Sequence, residues 1–298
     1  MGICQLGYIG LGAKNPDLWK ELLVGVLGMQ SSTSDGDVLR FRYDDHDTRL
    51  LVHPDPADDL IYLGWQVHSP FDLDVLADTV VAAGIDVNEG SAADTDRRRV
   101  RRLVWFTDPD GLRTELFYGP LIRSDPVIPG RPHHGIVAGN LGAGHVVRSV
   151  QDQDRTVRFY CEKLGFRLSD YGRGRLAFLG CNARHHSMAL MSASISGTSK
   201  GIIHFMIQAK ELDDVGIAFD LCLDGGIPLV STIGKHANDR SVSFYLVSPA
   251  GFEIEYGWNS IEVDESTWES GLYASGVVWG QHPPGELAER LKNRKRRW

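Results

Sequence analysis

Two histidines and a glutamate carry the strongest chemical signal in this chain: His145 in "GHVV", His204 in "IIHFM" and Glu255 in "SPAGFEIEYGW". All three fall on segments that read as β-strands. Two imidazoles and one carboxylate on one side of a metal make the facial set that suits non-haem Fe(II), leaving the other positions for a substrate and O2. A single carboxylate against a divalent cation leaves net positive charge, which favours an anionic chelator such as a catecholate. Zinc accepts the same donors, so the ligand types alone leave the metal open. Each residue also has a plainer reading. A lone histidine on an apolar strand face is most often a hydrogen-bonded core residue, and a strand carries solvated glutamates without difficulty. The case for a metal rests on where the three stand relative to one another.

Their relative positions come from laying the chain on itself. "RLVWFTDPDGLRTELFYG" (102–119) resembles "SVSFYLVSPAGFEIEYGW" (241–258), so Pro109, Gly111 and Glu115 match Pro249, Gly251 and Glu255. "LGYIGLGAKNPDLWKELLVGVLGM" (6–29) recurs as "AGHVVRSVQDQDRTVRFYCEKLGF" (143–166), and each half holds a second strand and helix, "LGWQVHSPFDLDVLADTVVAAGI" and "IIHFMIQAKELDDVGIAFDLCLDGGI". The pattern predicts an α+β chain of four βαβββ modules. Such a module cannot bury its apolar face alone, so pairs are expected to curl into two barrel-like domains with helices outside and a cavity within. Residues 1–130 form an N-terminal two-module domain and 131–298 a C-terminal two-module catalytic domain with a tail; periodicity is lost and Pro and Gly density rises at 124–140.

In this alignment Tyr8 stands where the second half has His145, and Gly64 where it has His204; only Glu115 and Glu255 agree. The N-terminal domain is therefore expected to hold no metal. Glu255 is the candidate ligand rather than Glu253, because Glu253 aligns with Arg113. Alternation in "IIHFMIQ" puts Ile202, His204 and Met206 together on the cavity face.

Composition bounds the rest. At 298 residues and 42% hydrophobic content the chain can build two real cores. A net charge of -8 argues against nucleic-acid binding, and "RRRVRR" (97–102) and "KNRKRRW" (292–298) read as solvated basic faces. The opening "MGICQLGYIGLG" has neither a charged n-region nor a long apolar run, so export and membrane anchoring are not expected. Four scattered cysteines, Cys4, Cys161, Cys181 and Cys222, form no C-x-x-C pair and fit a reducing cytoplasm. "TDPDG" (107–111) suggests calcium, but its repeat partner "VSPAG" has no such carboxylates and both read as turns; "GYIGLGAKN" lacks the third glycine of a dinucleotide fingerprint. His133 and His134 fall in the linker and read as incidental.

Five motifs stand in order on the second copy: "GHVV" with His145, "GCNARHHSMAL" with His185 and His186, "HFM" with His204, "HANDRSVSFY" with His236, Asn238, Asp239 and Tyr245, and "SPAGFEIEYG" with Glu255. Together they resemble the type I extradiol ring-cleavage dioxygenases of the vicinal oxygen chelate superfamily, in particular the two-domain members acting on 2,3-dihydroxybiphenyl. The resemblance covers essentially the whole chain. It implies that His145, His204 and Glu255 hold Fe(II), with Mn(II) as the alternative metal, and that a catecholic substrate chelates through both oxygens while O2 takes the remaining site. His186 is then the acid–base residue that accepts a catechol proton, a task an imidazole suits near neutral pH. By the same resemblance His236 and Tyr245 hydrogen-bond the substrate oxygen, Asn238 and Asp239 orient that loop at the substrate, and Phe178 packs on the ring. His185 is expected to have no direct role. The family is oligomeric, frequently octameric. Substrate alternatives are 1,2-dihydroxynaphthalene and alkylcatechols; the alternative functions are a glyoxalase-like or epimerase-like lyase, which usually uses more than one glutamate, and a non-catalytic small-molecule binder, which needs no metal triad.

Overall fold

A strand, a helix and three further strands recur four times in the computed structural model, which describes residues 2–172, 176–198 and 201–286. The basic run at 292–298 lies outside the described residues. The first half comprises β1 (Ile3–Ala13), α1 (Pro16–Lys20) continuing as a π-helical turn (Glu21–Val26), β2 (Gln30–Asp35), β3 (Val38–Arg42) and β4 (Leu50–Pro54). Its second module is β5 (Leu60–Val67), α2 (Pro70–Ala82), β6 (Asn88–Glu89), an inserted α3 (Ala92–Arg98), β7 (Val100–Thr107) and β8 (Arg113–Pro120). The second half repeats this with β9 (His145–Val150), α4 (Gln153–Leu164), β10 (Arg167–Gly172), β11 (Leu176–Gly180), β12 (Met188–Ser192) and a short α5 (Ala193–Ser196). Then come β13 (Ile202–Ala209), α6 (Leu212–Asp224), β14 (Leu229–His236), β15 (Val242–Val247) and β16 (Glu253–Trp258). Outside the repeat, β17 (Gly271–Tyr273) and β18 (Val277–Trp279) add to the two edges of the second sheet.

Local chemistry sets the helix ends. Ser69 caps α2 by accepting the Asp72 N–H at 3.1 Å, with Pro70 at the first helical position; Asp152 caps α4 through the Arg155 N–H at 3.0 Å, and Gly165 ends it at φ 76°. Each such cap contributes about 1 kcal/mol.

The strands form an eight-stranded and a ten-stranded sheet, ordered β2-β3-β4-β1-β5-β8-β7-β6 and β17-β10-β11-β12-β9-β13-β16-β15-β14-β18. Each module's first strand lies parallel to its last, and two modules meet at an antiparallel pair, β1–β5 or β9–β13. The α+β class and the four βαβββ modules expected from the repeat are what the chain adopts.

The halves share one apolar core rather than keeping two separate ones. Trp19 of α1 lies 6.3 Å from Phe205 of β13 and 5.5 Å from Phe252, while Trp65 of β5 lies 4.8 Å from Phe166 after α4. A buried polar cluster reinforces the seam. The Asp108 carboxylate accepts from Arg148 of β9 at 2.6 Å and from the Tyr160 hydroxyl of α4 at 3.0 Å, besides the turn N–H groups of Asp110 and Leu112. "TDPDG" is thus a turn, as expected, and also a cross-link. The linker is pinned too, by His133 Nε2 to the Gly28 carbonyl at 3.0 Å and the His134 N–H to Asp214 at 2.9 Å, so these histidines are not incidental.

Three further expectations need correction. "RRRVRR" is not a wholly solvated face, since Arg98 is buried against Glu115. Gly64 is not the counterpart of His204: Gly64 pairs with Tyr8 and Glu115, whereas it is Met206 that pairs with His145 and Glu255. The residue at the level of His204 is Tyr62, because His204 pairs with Val147 and Glu253 as Tyr62 pairs with Gly10 and Arg113. Finally, a bulge between Ile202 and His204 breaks the alternation, so Ile202 joins the main core rather than sharing a face with His204. A β-bulge re-aims the side chains around it, and pattern reading cannot see one.

Candidate metal centre and its cavity

The three central strands of the second sheet, β9, β13 and β16, bring the predicted donors together. β9 enters at His145 directly after Gly144, whose φ is 115° and whose missing Cβ would lie 1.9 Å from the Met206 carbonyl oxygen. Any side chain there would push β9 off β13. His145 and Glu255 sit level across Met206, and His204 lies two residues along, so their long side chains converge diagonally. His145 Nε2 is 3.4 Å from His204 Nε2 and 3.2 Å from Glu255 Oε2, and His204 Nε2 is 3.4 Å from the same oxygen.

This triangle fits a divalent cation. At a bond of about 2.1 Å, cis donors of an octahedron stand roughly 3.0 Å apart and tetrahedral corners roughly 3.4 Å. Two imidazole nitrogens and a carboxylate oxygen aimed at one point also concentrate lone pairs that a cation would neutralise. Glu253, by contrast, is partly exposed and does not line the cavity.

Burial pushes the His145 imidazole below its ordinary value despite Glu255 beside it. It pushes His186 well below, and the neighbouring His145 and His185 rings add to the effect. Both rings are therefore neutral at pH 7, the form a ligand or a proton acceptor needs. Burial alone would raise the Glu255 carboxyl; the His236 charge and hydrogen bonds from His145, His204 and His236 outweigh it and hold it well below the carboxylate range. Burial would likewise lower His236, but Glu255, Asp239 and the Gly276 carbonyl push it up to about 9. The Tyr245 phenol is held protonated by burial and by the Glu255 and Asp239 charges, which makes it a donor.

All nine sequence-predicted residues line one cavity: His145, Phe178, His186, His204, His236, Asn238, Asp239, Tyr245 and Glu255. His236 Nε2 is 3.2 Å from Glu255 Oε1 and 2.9 Å from the Tyr245 hydroxyl, and its Nδ1–H points at the Gly276 carbonyl at 3.2 Å. Phe178 lies edge-on to His186 at 4.9 Å. Asp239 accepts the Ser241 N–H at 3.1 Å, closing an Asx turn in the "HAND" loop. Sequence reading missed Val147, Leu176, Gly276 and Val277. The first two were findable, since each lies two residues from a predicted site residue on the same strand. Gly276 and Val277 come from the segment after β16, which has no repeat partner and so no register signal.

In the first sheet the corresponding positions are closed by side chains. The Tyr8 hydroxyl donates to Glu115 Oε2 at 2.7 Å; Arg98 donates to both Glu115 oxygens at 2.7 and 3.0 Å, and Arg113 to Oε1 at 2.7 Å. The Arg98 guanidinium lies 4.1 Å over the Tyr62 ring. A protein cation thus occupies the place a metal would need, and Glu115 is fully buried. Glu115→Gln is expected to cost about 3 kcal/mol, because it leaves buried guanidinium charge undercompensated, while leaving metal content unchanged. Denaturant titration and metal analysis check the two halves of that statement separately.

Residues 142–256 match the Glyoxalase/Bleomycin resistance protein/Dioxygenase superfamily, and residues 6–54 match the first domain of dihydroxybiphenyl dioxygenase BphC. The chain is 39% identical over 290 residues to a biphenyl-2,3-diol 1,2-dioxygenase of Paraburkholderia xenovorans strain LB400, covering 94% of this chain and 95% of that one. It is 36% identical over 296 residues to an iron-dependent extradiol dioxygenase of Rhodococcus jostii strain RHA1, covering 94% and 97%. Among solved structures it is similar to BphC, a halotolerant catechol dioxygenase, with a TM-score of 0.90 at 34% identity over 95% of each chain.

Proposed function

Starting from the fact that the chain belongs to the extradiol dioxygenases of the glyoxalase/bleomycin resistance/dioxygenase superfamily, we propose that His145, His204 and Glu255 are its iron ligands and that its preferred substrate is 2,3-dihydroxybiphenyl. It is an oxidoreductase that cleaves a catechol ring next to the diol, using Fe(II) and incorporating both atoms of O2. The observation that carries the ligand assignment is the donor triangle with edges of 3.2 to 3.4 Å at the base of a cavity that also holds His186. Bound ferrous iron would supply a Lewis acid for the diol oxygens and a redox-active centre through which the catechol's own electrons reach O2.

The chain's own groups do the rest. Neutral His186 takes a proton from one catechol hydroxyl, so the diol binds as an anion. The Tyr245 hydroxyl and His236 donate hydrogen bonds to a substrate oxygen beside Glu255, and the Asx turn at Asp239 fixes the loop that carries Asn238. Val147, Leu176, Phe178 and Val277 form the apolar part of the wall. They support a bicyclic diol over a plain catechol, since a second ring bound there leaves water at about 25 cal/mol per Å² of apolar surface. Among the described residues no helix is long and apolar enough to cross a membrane. We place the enzyme in the cytoplasm, where its four free cysteines would stay reduced, and as a homo-oligomer, an octamer, which light scattering tests.

Purified protein is expected to contain iron, to lose activity in air as the metal oxidises, and to regain it with a ferrous salt and ascorbate. Metal analysis of active protein showing zinc alone contradicts this. The substrate assignment is tested by kcat/KM for ring fission across 2,3-dihydroxybiphenyl, 1,2-dihydroxynaphthalene and 3-alkylcatechols. A tenfold preference for either of the other classes would replace it.

A further inference from the structure

We propose that Asp170 and His185 are positioning residues that set the tautomer of His186, holding its hydrogen on Nδ1 so that the nitrogen facing the cavity is bare. The proposal rests on the reading of His186 as the proton acceptor. His185, expected to have no direct role, is fully buried, and its Nε2 lies 2.6 Å from Asp170 Oδ2. A carboxylate only accepts, so the His185 hydrogen sits on Nε2 and a neutral ring leaves its Nδ1 with a bare lone pair. That Nδ1 is 3.0 Å from His186 Nδ1, which must then be the donor. A neutral His186 is thereby left with its lone pair on Nε2, the one nitrogen still free to take a catechol proton. On transfer the hydroxyl O–H bond breaks, an Nε2–H bond forms, the Nδ1–H stays in place, and the new positive charge remains on the His186 imidazolium, stabilised by its hydrogen bond to His185 and by the Asp170 carboxylate behind it.

The chain is clamped at every link. Asp170 Oδ1 accepts the Gly271 N–H of β17 at 2.5 Å, the Ser169 hydroxyl donates to the His185 carbonyl at 2.5 Å, and Trp268 lies edge-on to His185 at 5.5 Å. The segment after β16 therefore holds the relay from behind while it also contributes Gly276 and Val277 to the cavity. His186 itself is faced by His145, His204, Glu255 and Asp239, and Asp170 by Tyr273.

Asp170→Asn inverts the polarity of the relay. The Gly271 N–H holds the amide oxygen, so the amide NH2 must point at His185 Nε2 and donate. His185 then donates from Nδ1, His186 accepts there, and the nitrogen facing the catechol carries a hydrogen. A wrong tautomer imposed in this way on the histidine of a serine protease triad drops kcat by about 10^4-fold. Here we expect kcat for 2,3-dihydroxybiphenyl to fall roughly 10^2-fold, within the range for a lost base, with iron content and anaerobic catechol binding retained. The loss should shrink to a few-fold for nitro-substituted catechols, which ionise near neutral pH without a base. His185→Gln, whose amide can donate to Asp170 and accept from His186, should lose less than Asp170→Asn. If Asp170→Asn does not fold, the double variant Asp170→Asn/His185→Gln, in which the Asn amide donates to the Gln oxygen and the Gln amide donates to His186 Nδ1, removes buried carboxylate and ring together and carries the same expectation. A loss equal across the catechol series, or rates within twofold of wild type, overturns the proposal. His186→Gln separates the two levels: if it too leaves turnover intact, the underlying role of His186 falls, and if only Asp170→Asn is silent, the relay alone does.

Discussion

Glu255→Gln is expected to give folded protein with almost no iron and almost no ring-cleaving activity toward any catechol. Glu255 supplies the single anionic donor of the triangle, 3.2 and 3.4 Å from the two imidazole nitrogens. A neutral amide there leaves a divalent cation facing only neutral donors in a buried site. Loss of a residue that merely supports a ligand typically costs about 10- to 100-fold in metal affinity, so loss of the charged ligand itself should exceed that. The fold should survive, because Gln can still hydrogen-bond to His236 and Ser241, which approach Oε1 at 3.2 and 3.5 Å. Any fall in Tm should then be the part that ferrous iron contributes to the wild type by mass action. His204→Gln should behave in the same way. The informative comparison is with Glu115→Gln, the matching glutamate of the first sheet, whose charge is already taken up by Arg98 and Arg113. Iron stoichiometry should stay at the wild-type level in that variant. Equal iron loss in the two would mean that the ligand set is wrong.

The contrast between the two glutamates shows what the sequence could and could not convey. Duplication was legible because turn chemistry and strand periodicity repeat: "TDPDG" and "SPAG" occupy equivalent corners, and Glu115 and Glu255 follow them at the same spacing. The donor types were legible because few roles other than metal binding bring two imidazoles and a carboxylate onto adjacent strands. The register of β13 was not. Laid against each other as strands, 60–67 and 202–209 align Tyr62 with His204, and only the hydrogen-bonded rows reveal that Gly64 stands opposite Tyr8, where its missing side chain makes room for the Tyr8 ring. The arginine that closes the first sheet was hidden for a similar reason. Arg98 belongs to a run of five arginines interrupted by one valine, and composition marks such a run as solvated; it is the αL turn at Arg99, φ 56°, ending α3 that separates Arg98 from its neighbours and leaves it buried against Glu115. His185 and Asp170 lie fifteen positions apart on different strands or loops, and nothing in their local sequence signals the hydrogen bond between them.

His186→Gln is expected to keep iron and bind catechol while turning over about 10^2- to 10^4-fold more slowly, the range for removing a positioned proton-transfer group. His186 is no part of the donor triangle, and its Nδ1 is engaged with His185 at 3.0 Å, so the substitution leaves His145, His204 and Glu255 untouched. Gln can donate its amide N–H to His185 Nδ1 and turn its oxygen to the cavity, which preserves packing and polarity but offers no group that can take a proton at neutral pH. Catechols of lower pKa should therefore be impaired least, since they reach the anionic form without help. A thermodynamic cycle sharpens this. Residues acting through one group are non-additive, so once His186 is gone Asp170 has nothing left to position, and Asp170→Asn/His186→Gln should be no slower than His186→Gln alone. If the two losses multiply instead, Asp170 acts by a separate route. If His186→Gln is iron-free, or turns over unactivated catechols at the wild-type rate, His186 is not the proton acceptor.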